Sequence, residues 1–254
     1  MFETRKLTKS FGGVSAVNSL DLSIREGEIA GLIGPNGAGK TTVFNLITGY
    51  IRPSGGQVIF RGENLVGQKP HQIAARGIVR TFQIATLFRD FTVLQNMMAA
   101  SHLYARIRFW EGVFRTAHHR RKEKKALDQA IETLGLVGLE SWQDVMAGTL
   151  PHAHQKLLAA AMALAASPKL LLLDEPLEGM SAEEVDKALR IIRAIRDRGV
   201  TILLIEHNMR AVMKLCDRIV VLNFGQKLAE GPPREVKQNQ EVIRAYLGTC
   251  AYGE

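Results

Sequence analysis

Three short stretches of the chain are apolar at nearly every position and each runs straight into polar residues. They are Ile29 to Ile33, then Leu170 to Leu173 ahead of Asp174-Glu175, and Ile202 to Ile205 ahead of Glu206-His207. A strand that is apolar on both edges of its pleat must be covered on both faces, so the pattern predicts a parallel sheet with polar residues at the strands' carboxyl ends. From Phe2 to Glu28 the pattern alternates instead, with Val17, Leu20, Leu22 and Ile24 between the turns Gly12-Gly13 and Glu26-Gly27, which predicts antiparallel strands. The turn at Arg52 to Gly56 leads into a strand at Gln57 to Phe60, Ile78 to Gln83 reads as a strand ending in a glutamine, and Arg218 to Ala229 reads as a hairpin. Helical spacing recurs at Val43, Leu46 and Ile47, at Val93, Leu94, Met97 and Met98, and at Leu127, Ile131 and Leu134. Glycines and strand signals thin out between Phe91 and Gly138, so this region is expected to be an inserted helical subdomain. Ser181-Ala182-Glu183-Glu184 is a capping box opening a helix through Ile195, and Gly231-Pro232-Pro233 precedes a last helix to Leu247.

Chemistry sits at the ends of the apolar runs. The residues after the first are Gly34, Pro35, Asn36, Gly37, Ala38, Gly39, Lys40, Thr41 and Thr42, which fit G-x-x-x-x-G-K-[ST]. With a strand before and a helix after, this is a phosphate-binding loop: the glycines let backbone N–H groups curl inward around a triphosphate and the helix points its positive end at the same anion. Lys40 would reach the β- and γ-phosphates and Thr41 would offer its hydroxyl to Mg²⁺. Asp174, at the end of the second run, suits Mg²⁺ directly or through water, and Glu175 suits a general base. His207 ends the third run in the same way. Phe11, just before a glycine pair, either fills the core or stacks on a nucleotide base, a contact worth about 1–3 kcal/mol. Gln83 taken alone is an ordinary surface residue.

Composition narrows the partners. Lys+Arg of 33 against Asp+Glu of 25 gives a formal charge of +8, which favours anionic partners such as nucleotides, nucleic acid or lipid headgroups. The basic residues concentrate in the helical insert at Arg106, Arg108, Arg115, Arg120, Arg121, Lys122, Lys124 and Lys125, with Phe109, Trp110 and Phe114 nearby. Two readings remain open there, a solvated helix face and contact with an anionic membrane surface or a partner docked on one. Cys216 and Cys250 lack metal-type spacing and read as free thiols of a reducing cytosol. The longest apolar run, Leu157 to Ala166, is too short to span a bilayer, so a cytoplasmic chain is expected.

Taken together and in this order, these residues resemble the nucleotide-binding subunit of an ATP-binding cassette (ABC) transporter, over nearly the whole chain. The resemblance implies an α/β P-loop NTPase cassette with a RecA-like parallel-sheet core, an antiparallel β subdomain and an inserted α-helical subdomain. It implies one domain over 1–254, with 1–90 and 151–233 as catalytic core and antiparallel subdomain, 91–150 as helical subdomain, and 234–254 as C-terminal helix. By position Phe11 resembles the aromatic that stacks on adenine, Gly34 to Thr42 the Walker A loop, Gln83 the Q-loop glutamine near Mg²⁺ and the transmembrane partner, Asp174 the Walker B acid, Glu175 the catalytic glutamate and His207 the switch histidine. Arg80-Thr81-Phe82-Gln83, Leu87-Phe88-Arg89-Asp90, Ile205 to Met209 and Val242 to Gly248 resemble the importer ATPases that serve branched-chain amino acids.

That resemblance implies ATP and Mg²⁺ as cofactors and a peripheral place on the cytoplasmic face of the inner membrane. The partners implied are transmembrane permease subunits, a second ATPase subunit and, indirectly, a substrate-binding protein, with no nucleic acid. An ABC ATPase of another transport system, such as one for lipopolysaccharide, a non-hydrolysing regulatory subunit, and a soluble ABC ATPase of nucleic acid or ribosomes are the alternatives. The last usually carries tandem cassettes or long coiled coils, and this chain has neither. One element departs from the family. Where it has Leu-Ser-Gly-Gly-Gln, this chain has Leu150-Pro151-His152-Ala153-His154 and then Gln155. Pro151 brings neither hydroxyl nor N–H, Ala153 is expected to be strained if a glycine conformation is required, and Ser181 stands where an Asp or Asn is usual.

Overall fold

The computed structural model describes residues 1–81, 87–104 and 117–247. Two sheets form the frame. The antiparallel one has the order β2-β1-β4-β5, built from β1 (Phe2–Phe11), β2 (Val14–Ile24), β4 (Gly55–Phe60) and β5 (Glu63–Asn64). The other has six strands in the order β10-β9-β3-β8-β7-β6: β3 (Ile29–Ile33), β6 (Ile78–Thr81), β7 (Leu170–Asp174), β8 (Thr201–Ile205), β9 (Arg218–Asn223) and β10 (Gln226–Gly231). All its pairings are parallel except the β9–β10 hairpin. Of the strand expected from Ile78 to Gln83, Ile78–Thr81 is described and forms β6, and Phe82 and Gln83 lie outside the described residues.

The all-apolar runs work by alternation. Leu171 and Leu173 of β7, Ile202 and Leu204 of β8, and Ile219 and Val221 of β9 turn to one face of the sheet, while Leu170 and Leu172, Leu203 and Ile205, and Val220 and Leu222 turn to the other. The first face is covered by α3 (Val93–Tyr104), α4 (Ala117–Val137), α5 (His152–Leu164), α6 (Ala182–Asp197) and α7 (Met209–Leu215), through Val93, Met97, Leu134, Leu158, Leu189 and Val212 among others. The second is covered by α1 (Lys40–Ile47), by Ile73 of the short α2 (Pro70–Ala75) and by the antiparallel sheet, with Phe2, Leu7, Leu20, Phe44 and Phe60 filling the space. Each fully buried aliphatic side chain contributes about 1.5–3 kcal/mol, so two complete covers make this sheet the rigid part of the molecule.

Ser181 caps α6 with the expected box, its hydroxyl accepting from the Glu184 N–H at 3.4 Å while Glu184 accepts from the Ser181 N–H at 2.8 Å. The expected single C-terminal helix is two, α8 (Pro233–Gln238) and α9 (Gln240–Leu247). Asn239 leaves the helical conformation at ψ 118° and its side chain accepts from the N–H groups of Glu241 and Val242, so the break is also the cap of α9. Cys216 is a buried free thiol that burial pushes up to about 12, so it is un-ionised and no nucleophile; Cys250 lies outside the described residues.

A buried ion pair locks the entry to β3. Glu28 accepts from Arg218 Nε at 2.7 Å, from Arg218 Nη2 at 2.9 Å and from the Arg25 N–H at 2.8 Å. Burial alone would raise the Glu28 carboxyl, but the Arg218 bond and the Arg25 N–H outweigh it and hold the group below its usual 4.5. Glu28→Gln is therefore expected to destabilise the fold by about 2 kcal/mol near neutral pH. Because the folded value lies below the unfolded one, this contribution is complete above the unfolded value and is lost as pH falls through the folded value. Denaturant titrations should show the gap between wild type and variant closing as pH falls below the usual value of 4.5. A gap that stays constant would mean that the ion pair is not its source.

Candidate active site

The carboxyl ends of β3, β8 and β7 lie side by side, and each continues into a loop that carries polar residues. After β3, residues 34 to 39 curl into the helix α1. Gly39 sits at φ +100°, and a Cβ there would lie 2.4 Å from the carbonyl oxygen of Ala16, so no larger residue fits. The loop is pinned from outside: the Gly225 N–H donates to the Ala38 carbonyl at 3.0 Å, and the Gly225 carbonyl accepts from the Asn18 N–H at 2.8 Å. Helix α9 reaches the same loop through Tyr246, whose hydroxyl burial pushes up to about 12 against an opposing hydrogen bond from the Gly34 backbone.

Lys40 is buried, and its ammonium donates to the carbonyls of Gly34 and Pro35 at 2.8 and 2.9 Å. Burial lowers its pKa while the charges of Glu175 and Asp174 oppose that shift, which places the amine among the two acids. Asn36, Gly37 and Thr41 are exposed, Pro35 and Thr42 are half-buried, and Ala38 is packed inside. Phe11, at the end of β1, is 51% exposed, with the Lys9 ammonium 5.0 Å from its ring centroid. A ring capped by a cation on one side and open on the other is a stacking surface rather than a core filler.

Asp174 is buried and paired with Arg80 of β6 at 2.6 Å, their side chains 4% and 7% exposed. The guanidinium also donates to Asn45 Oδ1 at 2.6 Å and lies 5.5 Å from the Phe44 ring, both in α1. Glu175, the next residue, has φ +49°, a left-handed conformation that costs a non-glycine residue about 1–3 kcal/mol. His207 Nε2–H donates to Glu175 Oε1 at 2.8 Å. Between them Glu206 is buried and accepts from the N–H groups of Leu177, His207 and Asn208 at 2.7, 3.0 and 3.2 Å, burial raising its pKa against those bonds.

Among the described residues no cluster of three His, Cys, Asp or Glu could hold a metal by itself. The Thr41 hydroxyl and the Asp174 carboxylate are hard oxygen donors, and Mg²⁺ characteristically takes one or two such protein ligands plus phosphate oxygens and water, so the donor set fits that ion.

The structure thus brings Lys40, Asp174, Glu175 and His207 to one end of the sheet, while Gln83 lies outside the described residues. Pro151 is the N-cap of α5 and Ala153 is a helical residue of its first turn, absent from the residues with positive φ. The strain expected at Ala153 if a glycine conformation were required does not arise, because Ala153 is helical and not at positive φ. Sequence reasoning gave no role to Arg80, Lys156 or Glu206. The Arg80 signal was an arginine in a strand next to a buried acid, and the Glu206 signal was an acid ending an apolar run.

Comparisons with known proteins agree with this geometry. A family model described as ABC transporter matches residues 17–178, and one described as branched-chain amino acid ATP-binding cassette transporter matches residues 226–249. The chain is 42% identical over 249 residues to the high-affinity branched-chain amino acid transport ATP-binding protein BraF of Pseudomonas aeruginosa, covering 98% of each. It is 44% identical over 243 residues to the corresponding protein LivG of Salmonella typhimurium, covering 95% of each. A crystal structure of the ADP conformation of an ATP-binding cassette of an ABC transporter superposes with a TM-score of 0.85 at 28% identity, over 98% of both chains. With the loop, the paired acids and the histidine at one sheet edge and relatives of the same length, this chain belongs to the ABC transporter family, as an ATP-binding, ATP-hydrolysing cassette.

Proposed function

We propose that the chain hydrolyses ATP to drive import of branched-chain or other hydrophobic amino acids, bound at the cytoplasmic face of the inner membrane to permease subunits. The observation that carries the hydrolytic reading is the 2.8 Å bond between Glu175 and His207, formed where β7 and β8 end beside the phosphate loop. The cargo reading rests on the names of BraF and LivG and on the family model that matches residues 226–249. Among the described residues no helix is long and apolar enough to cross a membrane, in keeping with peripheral attachment to other subunits. The exposed Arg121, Lys124 and Lys125 of α4 offer charge to an anionic surface.

Phe11 would stack on the adenine and the backbone N–H groups from Gly34 to Thr42 would hold the phosphates. Lys40 would exchange the Gly34 and Pro35 carbonyls for phosphate oxygens. Glu175 would orient or deprotonate the attacking water, and His207, through its bond to Glu175, would hold that carboxylate and steady the phosphoryl group. General-base assistance of this kind is worth about 10²–10⁴ in rate. Thr41 and Asp174 would hold Mg²⁺, with Gln83 as the third contact the family resemblance implies; the ion supplies charge neutralisation at the phosphates.

Lys40→Ala is expected to abolish tight ATP binding, whereas Glu175→Gln keeps binding and stops turnover. Fluorescent-nucleotide titration beside phosphate release checks this, and equal loss of binding in both variants would reject the assignment.

Arg80→Ala leaves Asp174 buried without its partner and is expected to cost about 3 kcal/mol or more. Magnesium would then compensate a charge that Arg80 otherwise neutralises, so the rise in melting temperature on adding Mg²⁺ with ATP should be larger in the variant than in wild type. A smaller rise would show that the arginine is required for the ion to bind.

The partner ATPase is proposed to differ from this chain, because the Leu150 to His154 stretch lacks the serine that would contact the opposite nucleotide. Loss of one oriented donor costs about 10²–10³ in rate by analogy with oxyanion sites. Glu175→Gln in this chain is expected to stop most steady-state hydrolysis by the assembled transporter, and the equivalent change in the partner to stop less. Equal impairment would mean that the two sites are equivalent.

A further inference from the structure

Glu175 holds its carboxylate from a backbone that is itself in a costly conformation, φ +49°, so something must fix that turn. Two of its anchors come from β8 and the loop after it: its N–H donates to the Ile205 carbonyl at 2.9 Å and its carboxylate accepts from His207. A third comes from the opposite side. Lys156 of α5 donates from Nζ to the Glu175 carbonyl at 2.9 Å, where the Glu178 N–H also arrives at 3.4 Å. The Lys156 side chain is 10% exposed, so its ammonium has been withdrawn from water to make this contact, and its charge favours the ionised form of Glu206. Its other acidic neighbour, Glu178 at 3.5 Å, is 57% exposed, and an ion pair of that kind contributes little. The partner that matters is the carbonyl.

Resting on the role proposed for Glu175, we propose that Lys156 is a positioning residue for hydrolysis: by gripping the Glu175 carbonyl it holds the left-handed turn that aims the carboxylate, and it ties the water-activating group to α5. Lys156 reaches the turn from the second turn of that helix, two positions after His154, so its bond links the start of α5 to the Glu175 carbonyl. It makes no contact with the phosphate loop among the described bonds, so nucleotide capture does not depend on it.

Lys156→Met keeps the apolar stem and removes the ammonium. It is expected to lower kcat about ten- to a hundredfold, the scale of a small misplacement of a reacting group, while KM and the Kd for ATP stay within about twofold. Lys156→Arg should recover most of kcat, because a guanidinium can still donate to a carbonyl, and Glu178→Gln should leave kcat unchanged. In the full chain without nucleotide, amide hydrogen exchange over residues 175 to 178 should be faster in Lys156→Met than in wild type. Unchanged kcat and unchanged exchange in Lys156→Met would overturn the proposal, as would a parallel loss of ATP affinity and melting temperature that arginine does not rescue. Glu175→Gln measured alongside separates the two ideas: turnover retained in that variant rejects the role of Glu175 itself, whereas turnover lost there but intact in Lys156→Met rejects only the role of Lys156.

Discussion

The register of β7 against β8 is the constraint on which the site depends. Asp174 lies opposite Ile205, and the Glu175 N–H continues the ladder one residue further by donating to the Ile205 carbonyl at 2.9 Å. This alignment sets Glu175 and His207 within hydrogen-bonding reach. It is enforced by packing, because both strands are buried on both faces and a slip of one residue would exchange every leucine and isoleucine between the two covers. β3, paired with β8 on the other side, then delivers the phosphate loop at the same sheet edge. Sites at the carboxyl ends of parallel strands are general in α/β folds, since that is where the loops leave the sheet and helix N-termini point.

Gathering acids at one buried edge is electrostatically unfavourable, and each acid here has its own compensation. Asp174 has Arg80; Glu206 has the N–H groups of Leu177, His207 and Asn208; Glu175 has His207. Lys40 stands among them with its pKa lowered by burial and supported by the charges of Glu175 and Asp174. The Lys40 ammonium is thus held desolvated at this end of the sheet by the Gly34 and Pro35 carbonyls. The Glu206 bonds also tie the loop after β7 to the loop after β8, which makes the two acid-bearing loops one unit.

The sheet, the antiparallel layer, the glycine-rich loop between strand and helix and the adjacent acids were legible because each is encoded within one short stretch. An apolar run followed by Asp-Glu, or glycines at fixed offsets before Lys-Thr, carries its physics locally. Arg80 and Lys156 were not legible as site residues because their partners are remote in sequence, 94 residues away for Asp174 and 19 for Glu175. Nothing near a lysine in an alanine-rich helix says which carbonyl it will reach. The left-handed backbone of Glu175 was equally hidden, since glutamate has no preference for it and only the surrounding bonds hold it there. Asn239 was read through as helix for the opposite reason: its local preference to cap its own backbone outweighed a helical pattern that looked continuous.

The stretch Leu150 to His154, which departs from the family's usual sequence, still opens a regular helix. A proline at an N-cap gives up no intrahelical bond, because that position's N–H has no partner within the helix, and the Pro151 carbonyl still accepts from the Gln155 N–H at 3.0 Å. The Gln155 side chain donates back to the Leu150 carbonyl at 2.9 Å, which further fixes the entry of α5. His154 turns inward and packs against Trp142 with ring centroids 4.7 Å apart, and burial lowers its pKa, so it contributes packing and a neutral ring. The stretch thus opens α5 as a helix without a serine hydroxyl at its cap. What this stretch presents at the start of α5 is a helix N-terminus capped by a proline, with no hydroxyl beside it.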